Sequence, residues 1–153
     1  MNYVEVSTQG SIEPPSWASR CGAFVRKVMD RLSIHDEEVS IVLCDNAFIR
    51  DLNRDYRGID EPTDVLSFEQ RADADPAPAH ARASLVGDIV ISTEMVRENA
   101  ERFCVSEDEE LKRLLIHGLL HLQGMNHRDN SPEEEMLKLQ ESILSELQGE
   151  QVL

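Results

Sequence analysis

The run HGLLHLQGMNH, His117 to His127, holds three of the chain's five histidines at offsets of zero, four and ten, with a glycine at seven. On a helix four residues advance about 400° and about 6 Å, so His117 and His121 project from one face a turn apart and can share an ion. Gly124, three residues on, suits a left-handed C-cap that ends the helix and turns the chain back, which delivers His127 from the loop as a third ligand. A fold that brings all three histidines to one ion must therefore stop a helix at that glycine and double back over its histidine face.

Three imidazoles define a particular metal chemistry. Structural zinc sites normally close with four protein ligands, often cysteines, whereas three histidines leave a position open, as catalytic zinc requires. Water in that position has its pKa lowered to about 7, which makes hydroxide available at neutral pH. One Zn2+ ion is the best match to imidazole ligands, with nickel or another divalent ion as the chemical alternative. His35 and His80 fall outside the pattern and read as surface residues. Asn126 or Asp129 could orient a ligand histidine, or could equally be a solvated loop residue.

Around this motif the sequence predicts an α+β fold, a small mixed β-sheet of about four strands packed with about five helices, in a single domain spanning residues 1–153. Tyr3 to Val6 alternates like a strand, and two prolines then break it. Ser16 is a candidate N-cap for a helix running to about residue 33, with Trp17, Cys21, Phe24, Val25, Val28, Met29 and Leu32 on its apolar face. Val39 to Cys44 is a second strand, parallel to the first across a right-handed crossover. Asp45 caps a short helix that buries Phe48, Ile49 and Leu52.

Asp64 to Phe68 and Leu85 to Ile91 read as two more strands forming a hairpin, and the Ala, Asp and Pro-rich segment between them as a mobile loop. Ser92 caps the next helix. Ser106 with Glu109 forms a capping box at the start of the histidine helix, where acidic side chains suit the helix dipole. Ser131, Pro132 and Glu134 repeat the device before a last apolar stripe of Met136, Leu139, Ile143, Leu144 and Leu147.

Composition narrows the function. Thirty acidic and fifteen basic side chains give a net charge of −15, which opposes nonspecific binding to nucleic acid or to an anionic membrane. The charge is uneven, with nine acidic and seven basic side chains in residues 1–57 against thirteen and five in residues 98–153, so the N-terminal part is the side that suits a polyanion. No apolar run reaches the ~18 residues of a membrane span, and the start of the chain lacks a signal-peptide pattern, so a soluble cytoplasmic protein is expected. Cys21, Cys44 and Cys104, odd in number and set in apolar segments, read as reduced core thiols.

The histidine offsets also occur in the metzincin peptidases, whose motif places a glutamate after the first histidine as general base. Here that position is Gly118, which has no proton-accepting side chain, so the metal cage persists without the peptidase base. A different substrate is suggested by Arg50, Arg54 and Arg57, which recur at helical spacing before a Gly-containing turn. A guanidinium matches phosphate bidentately, and Arg57, at the turn, is the one best placed to reach a cleft beside the metal. Arg50 and Arg54 fit a solvated helix face.

Taken together, LNRDYR, PTDVLSF, GDIVIS and HGLLHLQGMNH, in this order and spacing, resemble the YbeY family of bacterial rRNA-maturation endoribonucleases over about residues 35 to 145. The resemblance implies a zincin-like α+β fold and a single-strand-specific, metal-dependent endoribonuclease acting in rRNA maturation, including small-subunit rRNA 3′-end processing, and in ribosome quality control. It implies His117, His121 and His127 as zinc ligands and Arg57 as the functionally important arginine. The implied partners are single-stranded RNA, an rRNA precursor, and the ribosomal small subunit or its assembly proteins, with no membrane. Family members typically carry an aspartate before the third histidine, where this chain has Asn126, which keeps a hydrogen-bonding side chain and loses the charge. Asp64 and Asp88 are alternative sources of a base, though both read more naturally as structural. A zinc peptidase or amidase, and a noncatalytic ribosome-assembly factor, are the competing functions.

Overall fold

The computed structural model describes residues 1–70, 84–125 and 134–153. Its strands are β1 (Tyr3–Thr8), β2 (Glu37–Cys44), β3 (Val65–Glu69) and β4 (Ser84–Ser92), hydrogen-bonded in the order β1-β2-β4-β3. Along β2 the side chains alternate between faces: Val39, Ile41 and Leu43 enter the main core, while Cys44 joins a smaller cluster on the other side. β1 and β2 run parallel, as the crossover reading requires, and β4 runs parallel to β2. β3 is antiparallel to β4, the hairpin that the sequence predicts, and forms one edge of a mixed sheet.

The helices sort onto the two faces by their apolar stripes. α1 (Ala18–Arg31) and α4 (Glu107–Leu122) pack on the main-core face, and α2 (Asn46–Arg57) places Ile49 in the smaller cluster with Phe48 and Leu52 against it. α3 (Thr93–Phe103) and α5 (Glu135–Glu146) flank α4. From Glu110 to its end α4 has no exposed residue, with Leu111, Leu115, Ile116 and Leu119 fully buried, so it occupies the centre and touches α1, α3, α5, β3 and β4. A helix so enclosed gives any residue on its remaining face a rigid mount.

Three of the expected caps are in place. Asp45 accepts from Phe48 N at 2.9 Å, Ser92 from Met95 N at 3.3 Å and Ser106 from Glu109 N at 3.0 Å. Each such cap is worth about 1 kcal/mol. The capping box at Ser106 is only half made, because the Glu109 carboxylate turns to Arg113 at 3.3 Å instead of reaching back. Ser16 does not cap α1: Ala18 N donates to Pro15 O at 3.1 Å, so a turn from Pro15 runs into the helix and Trp17 takes the cap position without a side-chain bond. Glu134 holds the cap position of α5, not its third residue, and makes no side-chain cap. Ser131, Pro132, Asn126, Asp129, His80 and the Ala, Asp and Pro-rich loop lie outside the described residues.

Cys21 and Cys44 are fully buried, and burial pushes both thiols up to about 12, which leaves them inert packing groups. Cys104 departs from the core reading: it is exposed and ends α3 in a left-handed conformation, φ 55°, on the surface turn toward α4. His35 is exposed, as expected. Among the described residues no helix is long and apolar enough to cross a membrane.

Candidate functional site

Helical spacing does to α4 what the sequence implies. His117 and His121 stand one turn apart on the same face, their rings 4.6 Å apart at 75°, and their two Nε2 atoms converge to 3.0 Å. α4 then stops in a Schellman motif: Gly124, at φ 85°, donates to His121 O at 2.9 Å, and Met125 N donates to Leu120 O at 3.1 Å. The chain therefore turns directly beyond the second histidine. His127 lies outside the described residues, and among the described residues no three His, Cys, Asp or Glu side chains gather as a metal-binding group. The described part of the expected set is the histidine pair. Two nitrogens bound to one tetrahedral zinc at about 2.0–2.1 Å lie about 3.3 Å apart, so a pair converging at 3.0 Å fits such an ion with a shift of a few tenths of an ångström.

Arg57 comes to the same place from another element. It is the last residue of α2, which ends at Gly58 in a left-handed C-cap, φ 72°. Tyr56 packs edge-on against Phe68 of β3 with ring centroids 5.1 Å apart, which ties the end of α2 to the sheet edge. Arg57, His117 and His121 together line a cleft of about 1210 Å³, walled by β3 and by Leu137 and Gln140 of α5. The other two arginines of α2 are occupied locally, Arg50 by Asp60 at 2.9 Å, and Arg54 by Asp51 at 3.3 Å and Asp55 at 3.1 Å. Among the described residues Arg57 has no such carboxylate, so it is the guanidinium of this helix available to an anion in the cleft.

Beneath the histidines runs a chain of polar side chains that sequence reading did not anticipate. His117 Nδ1 is 2.7 Å from Gln140 Oε1, and Gln140 Nε2 donates to Glu141 at 3.1 Å. Arg113 bridges α4 to α5 with two bonds to Glu141, at 3.0 and 3.1 Å, and donates to Glu110 at 3.2 Å. Glu110 also accepts from Asn99 at 3.0 Å, and Asn99 donates at 3.0 Å to Asp64. Glu110 is only 3% exposed, and burial pushes its carboxyl above the usual range against the opposing pull of Asn99 and Arg113. Part of this was visible in principle, since Glu110, Arg113, His117 and His121 fall on one helical stripe. Gln140 and Asn99 carry no local signal, because they meet the site only through the packing of α5 and α3 on α4.

The two aspartates weighed as bases have structural partners. Asp64 lines the cleft, but its carboxylate accepts from Val65 N at 2.7 Å and from Asn99 at 3.0 Å, which fixes the entry into β3. Asp88 accepts from Gln70 across the β3–β4 hairpin and is not among the residues lining the cleft.

Gly118, at the position of the peptidase glutamate, has a packing explanation. A Cβ there would stand 2.7 Å from Ile89 Cγ2 and 3.2 Å from Ser67 Oγ, and Ser67 Oγ donates to the Gly118 carbonyl at 3.2 Å. This side of α4 lies flat on the sheet, with no room for a side chain. Gly118→Ala is therefore expected to destabilise the protein by up to about 2 kcal/mol, the overpacking outweighing the roughly 1 kcal/mol gained in helix propensity. Chemical denaturation of the two proteins measures the difference, and a stabilised alanine variant would contradict the packing argument.

Comparison with known proteins follows from this geometry. A family model described as Endoribonuclease YbeY matches residues 4–148. The Endoribonuclease YbeY of Treponema pallidum (strain Nichols) is 55% identical over 146 residues, covering 95% of this chain and 90% of the relative. The protein of the same name from Treponema denticola is 47% identical, covering 94% and 89%, and that from Borreliella burgdorferi (strain B31) is 46% identical, covering 80% and 82%. The solution structure of TM1509 from Thermotoga maritima superposes with a TM-score of 0.64 at 27% identity, over 96% of this chain and 90% of that one.

Proposed function

The chain belongs to the YbeY family of endoribonucleases, and from that premise we propose that it cleaves single-stranded RNA in rRNA maturation, with His117, His121 and His127 holding one zinc ion and Arg57 engaging the scissile phosphate. Family membership makes it an endoribonuclease, a hydrolase of RNA phosphodiester bonds. The observation that carries the rest is the 3.0 Å convergence of the two histidine Nε2 atoms in a cleft that also holds Arg57.

When bound to these imidazoles, zinc supplies Lewis-acid polarisation of a phosphoryl oxygen and activation of water near neutral pH. The chain's own residues do the remaining work. Arg57 offers a planar fork that can hold two phosphoryl oxygens at once, and its charge is worth most as negative charge accumulates on those oxygens in the transition state. Its helix end is set by the Gly58 cap and by the Tyr56 contact with Phe68, so the guanidinium starts from a fixed base. The enclosed α4 holds His117 and His121 in register with it. A peptidase reading finds no support at Gly118, where the packing against Ile89 leaves no space for a glutamate.

With a net charge of −15 and aromatics at 5%, the chain lacks both the general basic surface and the stacking platforms of proteins that bind single strands unaided. We assign substrate delivery to the ribosomal small subunit or its assembly proteins in the cytoplasm, with Arg57 acting locally on an RNA brought to it. The test is cleavage of one RNA sequence, presented single-stranded and as a duplex, with and without a chelator. Cleavage of the single strand alone, stopped by the chelator and restored by zinc, is expected. Equal cleavage of the duplex, or activity indifferent to the chelator, would contradict the proposal.

A further inference from the structure

We propose that Gln140 is a positioning residue for His117, holding it as the Nδ1–H tautomer so that its Nε2 lone pair faces the metal position, and that Glu141 in turn fixes the direction of the Gln140 amide. The inference rests on the three-histidine reading and deepens it. Gln140 is 6% exposed, on the face of α5 that covers α4, and its Oε1 lies 2.7 Å from His117 Nδ1. An amide can in general turn either end toward a neighbour. Here the other end lies 3.1 Å from a Glu141 carboxylate oxygen, which only accepts, so the NH2 group must face Glu141 and the carbonyl must face His117.

A carbonyl can bond Nδ1 only if that nitrogen carries the proton. In a neutral imidazole the lone pair is then on Nε2, the atom that sits 3.0 Å from His121 Nε2. Glu141 is itself held in place by the two bonds from Arg113, at 3.0 and 3.1 Å. Arg113 and His117 are one turn apart on α4, so Arg113–Glu141 and His117–Gln140 form two rungs between α4 and α5. The docking of α5 thus writes the protonation pattern of a residue on α4. Outer partners of this kind typically change metal affinity by about 10–100-fold when lost.

The experiment uses the full chain and reads two quantities. Imidazole 15N chemical shifts of the metal-free protein, above the pH of histidine titration, report the tautomer of His117. Titration with zinc alone reports affinity. The wild type is expected to show Nδ1–H. Gln140→Leu, which cannot accept, is expected to populate Nε2–H and to bind zinc about 10–100-fold more weakly. Gln140→Glu keeps an acceptor and is expected to retain Nδ1–H. Should the leucine variant not fold, Glu141→Ala serves in its place, since it frees the amide to turn and is expected to populate both tautomers.

An unchanged tautomer in Gln140→Leu, or unchanged zinc affinity beside a wild type that binds zinc, overturns the proposal. A wild type that binds no zinc while the leucine variant still shifts the tautomer overturns the three-histidine reading and upholds the role of Gln140.

Discussion

Replacing Arg57 with alanine is expected to lower kcat/KM for single-stranded RNA by about 10²–10³-fold while bound zinc stays at the wild-type level. The size follows from removing one preorganised cation from the position where phosphoryl charge develops. The separation from zinc binding follows from the fold, because Arg57 is on α2 and the histidine pair is on α4. Stability should move by no more than about 0.5 kcal/mol, since Arg57 is exposed and has no ion-pair partner among the described residues. Arg57→Lys should recover only part of the rate, because an ammonium keeps the charge and loses the two-pronged match to phosphate. A wild-type rate in the alanine variant, or loss of zinc along with the rate, would place Arg57 outside this role.

His121→Ala is expected to have the larger effect, removing both the metal and the reaction. Loss of a direct ligand should weaken zinc binding beyond the roughly 10–100-fold that an outer partner commands. A stability readout makes this independent of turnover. A ligand present at about 100 times its Kd stabilises the folded state by about 2.7 kcal/mol, so zinc should raise the Tm of the wild type and leave that of His121→Ala unmoved. The apo variant should still fold, since α4 is held by Leu111, Leu115, Ile116 and Leu119 and not by its histidines. A variant that binds zinc as tightly as the wild type would remove His121 from the ligand set.

Much of this architecture was legible in the sequence, and the reason is local. Period-two strands, a period-3.6 histidine helix and the caps at Asp45, Ser92 and Ser106 are all decided within a few residues of where they act. So is the turn at Gly124, where a left-handed residue is needed immediately after the last helical turn. The misreadings also have local causes. Ser16 lost the cap of α1 because the Pro15 turn supplied an acceptor first, and Cys104 left the core because the end of α3 needed a residue at positive φ on the surface.

What the sequence did not disclose depends on tertiary packing. The line from Asp64 through Asn99, Glu110, Arg113, Glu141 and Gln140 to His117 draws on α3, α4, α5 and the start of β3, and no spacing rule spans them. Gly118 is instructive in a different way. Its lack of a side chain could be read as loss of a catalytic base, whereas the positive reason, contact with Ile89 and Ser67, needed the sheet in place.

The most direct test of the account measures zinc content and single-stranded RNA cleavage together on wild type, Arg57→Ala and His121→Ala. The account predicts three distinct patterns: zinc and cleavage in the wild type, zinc without cleavage in Arg57→Ala, and neither in His121→Ala. Cleavage that survives both substitutions would contradict it, because no reaction at this cleft could then depend on the histidine pair and the arginine that define it.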